Sequence, residues 1–281
     1  MSVTPLYKPR SDRPMYVAGF MSGSGTNLIR ILEYQRKMVD RLDQAFYEVT
    51  VIFTDRPESA AEKIGSDFGV PVLTNDIMAF YRARGHSDKK DLSLRPEFDE
   101  RTVCMLTGYE VDFVALAGYM SVVTEPLFTR FDGRMVNVHP ADLRVRAGDK
   151  RRYTGDHAVE AAIKNGEGSL RSTVHLVRRE VDYGEILAVS APVPVRWPDG
   201  VAVEGLSDPA NKQVLRRVAD EHQERLKRIG DWVIYPRTLE LLSQGRFAFD
   251  GKGALHFDGK PVPDGIVIEE ESSADAGGLP L

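Results

Sequence analysis

Asn137 and His139 stand two residues apart in the stretch Asn137–Pro140, directly after an apolar pair. Alternate side chains of a β-strand share a face, so the amide and the imidazole would project to the same side. Pro140 cannot donate to a sheet ladder and predicts the end of that strand. Together, an amide donor and an imidazole suit the stabilisation of a developing oxyanion. A structural histidine at a strand end is the alternative, and this stretch taken alone favours it.

A second polar segment, Ser22–Asn27, joins a predicted first strand to a predicted first helix. Its glycines let a ligand approach the backbone, its hydroxyls supply donors, and a helix N-terminus attracts anions. We therefore predict a phosphate site here, with a tight turn whose polar side chains cap the helix as the alternative. The segment lacks the third glycine of the dinucleotide fingerprint and the lysine of an NTPase phosphate loop. Neither a nicotinamide cofactor nor ATP is supported.

Asp182 lies in a predicted hairpin turn beside Gly184, where a carboxylate commonly serves the turn itself. If the turn folds back toward His139, the carboxylate would favour the imidazolium and raise the pKa of His139. Sequence alone does not establish that contact, so both interpretations stay open at this point.

Strand-like and helical patterns alternate along the first half of the chain, which predicts a doubly wound, mostly parallel α/β sheet. The predicted strands are Met15–Met21, Tyr47–Thr54, Val70–Leu73, Phe113–Ala117 and Met135–His139. The predicted helices are one starting near Leu28, then Ser59–Phe68, Glu97–Glu110 and Thr124–Phe131, with a charged loop at His86–Pro96.

The pattern changes after Pro140. We predict a basic loop at Ala141–Tyr153, a short helix at Asp156–Lys164 and a late β-hairpin of Ser172–Val177 with Ile186–Val193. A long C-terminal helix over Asn211–Leu242, broken at Pro236, and a small terminal hairpin within Phe247–Phe257 complete the prediction.

The composition is that of a water-soluble enzyme. The chain has 281 residues, 42% hydrophobic, with a formal net charge of -5, which argues against a dedicated nucleic-acid binder. Cys104 is the sole cysteine, so no internal disulfide can form, and we expect it to pack within a helix. The longest apolar stretch, Phe113–Val123, is too short to span a bilayer, and Met1–Pro14 lacks the apolar core of a signal peptide.

These features lead to a division of the chain and a location. We expect a polar N-terminal extension at 1–14, a single α/β domain at 15–268 and a flexible acidic tail at 269–281. We also expect a cytoplasmic protein, a monomer or homodimer, that binds small molecules and neither nucleic acid nor membrane.

Six segments in order resemble the phosphoribosylglycinamide formyltransferases, which use 10-formyltetrahydrofolate in purine synthesis. The segments are Ser22–Leu28, Asp112–Met120, Gly133–Pro140, Ser172–His175, Val181–Leu187 and Ile234–Pro236. The resemblance extends from Met15 to about Ile268. It implies a formyltransferase-type sheet and transfer of a formyl group to an amine, most simply that of glycinamide ribonucleotide. 10-Formyltetrahydrofolate would be the co-substrate, and no metal is needed.

The resemblance also implies roles for matching positions. Asn137 would hold the formyl oxygen, His139 would protonate or stabilise the oxyanion, and Asp182 would raise the pKa of His139 and, through water, help remove the amine proton. The residues implied for the ribonucleotide phosphate are Gly25, Thr26 and Asn27. Those implied for the formyl-folate pocket are Arg95, Met120, Ser121, Val122, Val123 and Asn137.

The chain departs from the family pattern in three places. Ala141–Arg144 replaces the usual Ser-Leu-Leu-Pro in a longer basic loop, Ser121 replaces an Arg, and Tyr183 replaces a Gly. The basic loop could grip an anionic tail, but a solvated charge run is the more common explanation. Two alternatives follow: a formyltetrahydrofolate hydrolase, whose family usually carries an N-terminal regulatory domain, and a catalytically silent ligand-binding member of the fold. A sugar or transfer-RNA formyltransferase usually has a further C-terminal domain.

Overall fold

Parallel strands rich in Val, Ile and Phe form the centre of the molecule, as expected for a sheet buried on both faces. The computed structural model describes residues 3–197 and 211–269. The strands of the first half are β1 (Val3–Pro5), β2 (Met15–Met21), β3 (Tyr47–Thr54), β4 (Val72–Thr74), β5 (Phe113–Leu116), β6 (Met135–His139), β7 (Arg146–Ala147) and β8 (Lys150–Arg151). Those of the second half are β9 (Ser169–Leu170), β10 (Thr173–Leu176), β11 (Ile186–Ser190), β12 (Val193–Pro194), β13 (Phe247–Asp250), β14 (Leu255–Phe257), β15 (Lys260–Pro261) and β16 (Ile266–Ile268).

The α-helices surround this sheet. They are α1 (Thr26–Leu42), α2 (Ala61–Phe68), α3 (Ile77–Arg82), α4 (Arg95–Leu106), α5 (Glu125–Arg130), α6 (Ala158–Lys164), α7 (Lys212–Leu226) and α8 (Trp232–Ser243). A 3₁₀ turn at Leu92–Leu94 precedes α4, and a π-helical turn at Lys227–Asp231 joins α7 to α8.

The main sheet has the strand order β16-β11-β10-β6-β5-β2-β3-β4. The five strands from β6 to β4 run parallel, β10 pairs antiparallel with both β6 and β11, and β16 returns parallel to β11. The predicted fold class, with its late hairpin and its small terminal hairpin β13–β14, is therefore confirmed.

Apolar side chains on the two faces of the sheet build two separate cores. On one face Val17, Phe113 and Val136 pack with residues of α1, α2 and α8. On the other face Ala18, Val114 and Met135 pack with residues of α3, α4 and α5. Successive residues of β5, and Met135 and Val136 of β6, alternate between these cores, which fixes the orientation of both strands.

Several details differ from the sequence prediction. Helix α3 and strand β16 were not predicted, and β1, within the predicted polar extension, pairs with β13. Pro236 lies inside α8 and does not break it. The irregular turn of this helical region is instead the π-helical turn at Lys227–Asp231, directly before α8. Cys104 is exposed on α4, so its predicted packing was wrong.

Within the described ranges no helix is long and apolar enough to cross a bilayer. Of the predicted tail, only residue 269 lies among the described residues.

Candidate active site

A cleft of about 500 Å³ opens where three neighbouring parallel strands end. β2, β5 and β6 are adjacent and parallel, so their carboxyl ends lie at one edge of the sheet, the usual place for ligands in open α/β folds. The cleft is lined by the segments that follow these strands (22–27, 116–123 and 137–140), by residues of the late hairpin, by Gly155 and Asp156, and by Asp231.

One end of the cleft is the start of α1. Gly25 adopts a left-handed conformation at φ +64°, and a Cβ there would lie 2.5 Å from Ile64 Cδ1. Only glycine therefore fits this turn without strain. No side chain of the described residues caps α1, so Gly25, Thr26 and Asn27 bring a 17-residue helix N-terminus to the cleft wall. Such a terminus favours an anion.

The centre of the cleft holds a cluster of four polar side chains. His139 Nδ1 lies 3.4 Å from one Asp182 carboxylate oxygen, and His175 Nε2 lies 3.5 Å from the other. The side-chain nitrogen of Asn137 lies 3.4 Å from His175 Nε2. The hairpin turn thus folds back onto β6, and residues from three distant stretches meet at one point.

Two backbone groups of the loop before α6 complete the cluster. The Tyr153 carbonyl oxygen lies 2.9 Å from His139 Nε2, and the Gly155 N–H donates to Asp182 at 2.8 Å. With Nε2–H donating to Tyr153, the neutral ring keeps its lone pair on Nδ1, the nitrogen beside Asp182. His139 is therefore set to take up or release a proton at Nδ1.

Burial and charge act in opposite directions on this pair. Burial lowers the pKa of His139, which is 4% exposed, and outweighs the nearby Asp182 carboxylate, which raises it. Burial acts to raise the pKa of Asp182, but hydrogen bonds from His175 and Gly155 and the charge of His139 lower that pKa to about 2. Asp182 acts on His139 in the predicted direction, yet the expected net rise of the His139 pKa was wrong because desolvation is larger.

The other end of the cleft is apolar and open. Met120 and Val122 are 59% and 43% exposed, and both line the cleft with Val123. Between them Ser121 donates to the buried Asp55 at 2.5 Å and accepts from Lys89 Nζ at 2.9 Å. This wall can receive a flat apolar group, while the hydroxyl of Ser121 is occupied by its protein partners.

Residues 15–201 match the family model described as formyl transferase. The chain belongs to the formyl transferase family. Membership confirms the resemblance and the transferase class predicted from the sequence. The matched residues make up two thirds of the chain. They include the ends of β2, β5 and β6 and the turn that carries Asp182.

Three family relatives show the extent of the likeness. The trifunctional purine biosynthetic protein adenosine-3 of Drosophila melanogaster is 27% identical over 244 residues, 87% of this chain but 15% of that protein. The phosphoribosylglycinamide formyltransferase of Haemophilus influenzae is 29% identical over 175 residues, 62% of this chain and 69% of that protein. The crystal structure of glycinamide ribonucleotide transformylase 1 from Symbiobacterium toebii superposes with a TM-score of 0.61 at 29% identity, covering 87% of this chain and 94% of that one.

Of the residues implied for the folate pocket, Arg95 alone does not line the cleft. Its side chain is 2% exposed, with Nε 3.4 Å from Asp99 and a guanidinium nitrogen 3.1 Å from the Tyr119 hydroxyl. It is absent from the cleft lining, whereas Met120, Ser121, Val122, Val123 and Asn137 are all present. A folate contact by Arg95 is therefore not supported, since its guanidinium is committed to buried partners.

Three residues at the site were not identified from the sequence. No site role was assigned to His175, but the antiparallel register of β10 on β6 places it opposite Asn137. Asp231 lines the cleft beside the start of α1, accepting from Ser172 at 2.5 Å and lying 3.4 Å from the Asn27 amide nitrogen. Burial raises the pKa of Asp231 to about 6. Tyr153 contributes only its backbone carbonyl, for which no residue-type signal exists.

Proposed function

We propose that this chain transfers the formyl group of 10-formyltetrahydrofolate to the amine of glycinamide ribonucleotide. The observation that carries the proposal is the approach of Asp182 to within 3.4 Å of His139, beside Asn137, inside the cleft of a formyl transferase-family fold. The co-substrate and the acceptor are those implied by the family resemblance and by the names of the relatives.

The two ends of the cleft differ in chemistry, which supports two different ligands. The α1 N-terminus at Gly25, Thr26 and Asn27 suits the phosphate of the acceptor. The exposed Met120 and Val122 suit the aromatic body of the folate. Ligands held at both ends would meet at His139, and this proximity supplies much of the rate enhancement.

The proposed chemistry needs no covalent enzyme intermediate. The acceptor nitrogen forms a bond to the formyl carbon, and the N–H groups of Asn137 stabilise the oxyanion that develops. Neutral His139 takes the amine proton at Nδ1, and the adjacent Asp182 carboxylate stabilises the imidazolium. The bond from the formyl carbon to the folate nitrogen then breaks, and His139 returns the proton to that nitrogen.

The decisive assay measures consumption of 10-formyltetrahydrofolate with glycinamide ribonucleotide present, absent, or replaced by other phosphorylated amines. We expect consumption only with glycinamide ribonucleotide, and a loss of about 10²- to 10⁴-fold in kcat for His139→Ala. His86→Ala is the matched control, because His86 lies outside the cleft lining and is 37% exposed.

Each other outcome rejects part of the proposal. Formate release without an amine identifies a hydrolase, and transfer to a different amine rejects the acceptor. Folate binding by calorimetry without turnover identifies a silent binding protein. Small-molecule partners, a cytoplasmic location and the oligomeric state stay predictions of the sequence.

A further inference from the structure

The longer basic loop ends in a segment that touches the His139–Asp182 pair from outside the sheet. Its two short strands, β7 and β8, form a hairpin, and β8 ends at Arg151, two residues before Tyr153. The Tyr153 carbonyl and the Gly155 N–H already contact the pair, as described above. Arg151 is the third contact point of the same segment.

Arg151 makes hydrogen bonds to three consecutive residues of the turn that carries Asp182. One guanidinium nitrogen donates to the Asp182 carbonyl and the other to the Gly184 carbonyl at 2.9 Å. The backbone N–H of Arg151 donates to the Tyr183 hydroxyl at 3.1 Å. A planar guanidinium that binds two carbonyls at once fixes orientation as well as position.

The turn needs such support because its backbone is strained. Asp182 adopts φ +61°, a left-handed conformation that non-glycine residues keep only when their surroundings enforce it. A Cβ at Gly184 would lie 1.6 Å from the Leu176 carbonyl oxygen, so only glycine lets the turn lie this close to β10. Arg151 adds two hydrogen bonds to the backbone of this turn.

The neighbouring arginines of the loop do something else. Arg152 donates to the Asn165 side chain, and Arg146 donates to the Asp149 carbonyl of its own hairpin. Among the described residues these contacts lie away from the turn at 182–184. The basic loop is thus not one uniform charge run, and Arg151 has a distinct task.

We propose that Arg151 is a positioning residue that, with Tyr183, holds the Asp182 carboxylate beside His139 for proton transfer. The inference rests on the proposed function, because the proton transfer is that of the formyl group's transfer to the amine. It also explains why the longer loop and Tyr183, both departures from the family pattern, occur in the same chain.

The kinetic test compares Arg151→Met and Arg151→Lys with Arg152→Met as the matched control. We expect Arg151→Met to lower kcat by about 10- to 100-fold while KM for the acceptor changes by less than about threefold, as for a misplaced catalytic group. Arg151→Lys keeps the charge but loses the two-carbonyl grip, so its kcat should also fall. Arg152→Met should match the wild type. Equal kcat in Arg151→Met and wild type, or an equal loss in Arg152→Met, overturns the proposal.

A second readout needs no substrate. The groups that face His139 are Asp182, His175, Arg151 and the Tyr153 carbonyl. Asp182 raises the pKa of His139, and Arg151→Lys keeps the cation but loses the two-carbonyl grip that holds this carboxylate in place. The NMR titration of His139 should therefore move to lower pH in Arg151→Lys and stay at the wild-type value in Arg152→Met. An unmoved titration in Arg151→Lys shows that the two-carbonyl grip does not hold Asp182 beside His139 and overturns the proposal.

This second readout separates the two proposals. If the wild type transfers no formyl group, the proposed function fails, and the His139 titration still decides the role of Arg151. If Arg151→Met does not fold, Tyr183→Phe removes only the hydroxyl that accepts from Arg151, and kcat should fall roughly threefold to tenfold. An unchanged kcat in that variant counts against the proposal.

Discussion

Replacing Asp182 by Asn removes one charge from the cluster while keeping the size of the side chain. The pKa of Asp182 is about 2, against an ordinary 3.8, and the residue is 7% exposed. A difference of almost two pKa units corresponds to roughly 2 kcal/mol of folding free energy. Because the folded-state pKa is depressed, this stabilisation is complete above pH 3.8 and is lost as the pH falls from 3.8 toward 2. Asp182→Asn should therefore unfold more easily at pH 7, by less than that amount because His139, whose charge contributes part of the shift, is neutral there.

Urea unfolding of wild type and Asp182→Asn at pH 7, 5 and 4 measures this quantity. The difference should begin to shrink near pH 4, as the carboxyl of the unfolded chain starts to be protonated. Asp156→Asn is the control, since Asp156 is an exposed carboxylate of the same cleft and its loss should change the unfolding free energy by less than about 0.5 kcal/mol. A variant as stable as the wild type at pH 7 would refute the reasoning, because Asp182 would then gain nothing from its partners.

The remaining predictions concern other parts of the site. Gly25→Ala should lower stability by about 1–3 kcal/mol in thermal unfolding, whereas Gly23→Ala, whose Cβ would meet nothing within 4 Å, should be tolerated. Arg95→Met should lower the free energy of unfolding by about 3–5 kcal/mol, because it leaves Asp99 buried without its ion-pair partner; a stable variant with weakened folate binding would restore the folate role. Asn137→Ala should lower kcat by about 10²- to 10³-fold with little change in KM, and an unchanged kcat would remove Asn137 from oxyanion stabilisation. The acid limb of the kcat–pH profile should lie below pH 6.5, since burial lowers the His139 pKa and the neutral ring is the active form; a limb above 6.5 contradicts this assignment.

Secondary structure was predicted best where the residue pattern of a segment fitted only one type of element. β2, β3 and β6 have the predicted bounds, because runs rich in apolar and β-branched residues between turn signals indicate strands. β16 was not predicted because it is only three residues long and partly exposed. It is a strand only through its pairing with β11.

Site geometry was predictable where neighbours in sequence decide it. Asn137 and His139 share a face of β6 by strand alternation alone. The position of Asp182 depends on how the hairpin folds back, and that of His175 depends on the register of β10 against β6. The burial of Arg95 depends on Asp99, one helical turn later, and on Tyr119 from another loop. Long-range packing of this kind leaves no local pattern, so a role transferred from a relative could not reveal it.

The pairing of β1 with β13 joins residues nearly 250 positions apart along the chain. Closing a loop of this length has an entropic cost, and the partner strand of β1 exists only after residue 250 has been synthesised. The β1–β13 contact should therefore be among the last to form on the ribosome. Until then β1 has an unpaired edge. The polar, proline-containing segment that follows β1 is suited to prevent this edge from pairing with other chains.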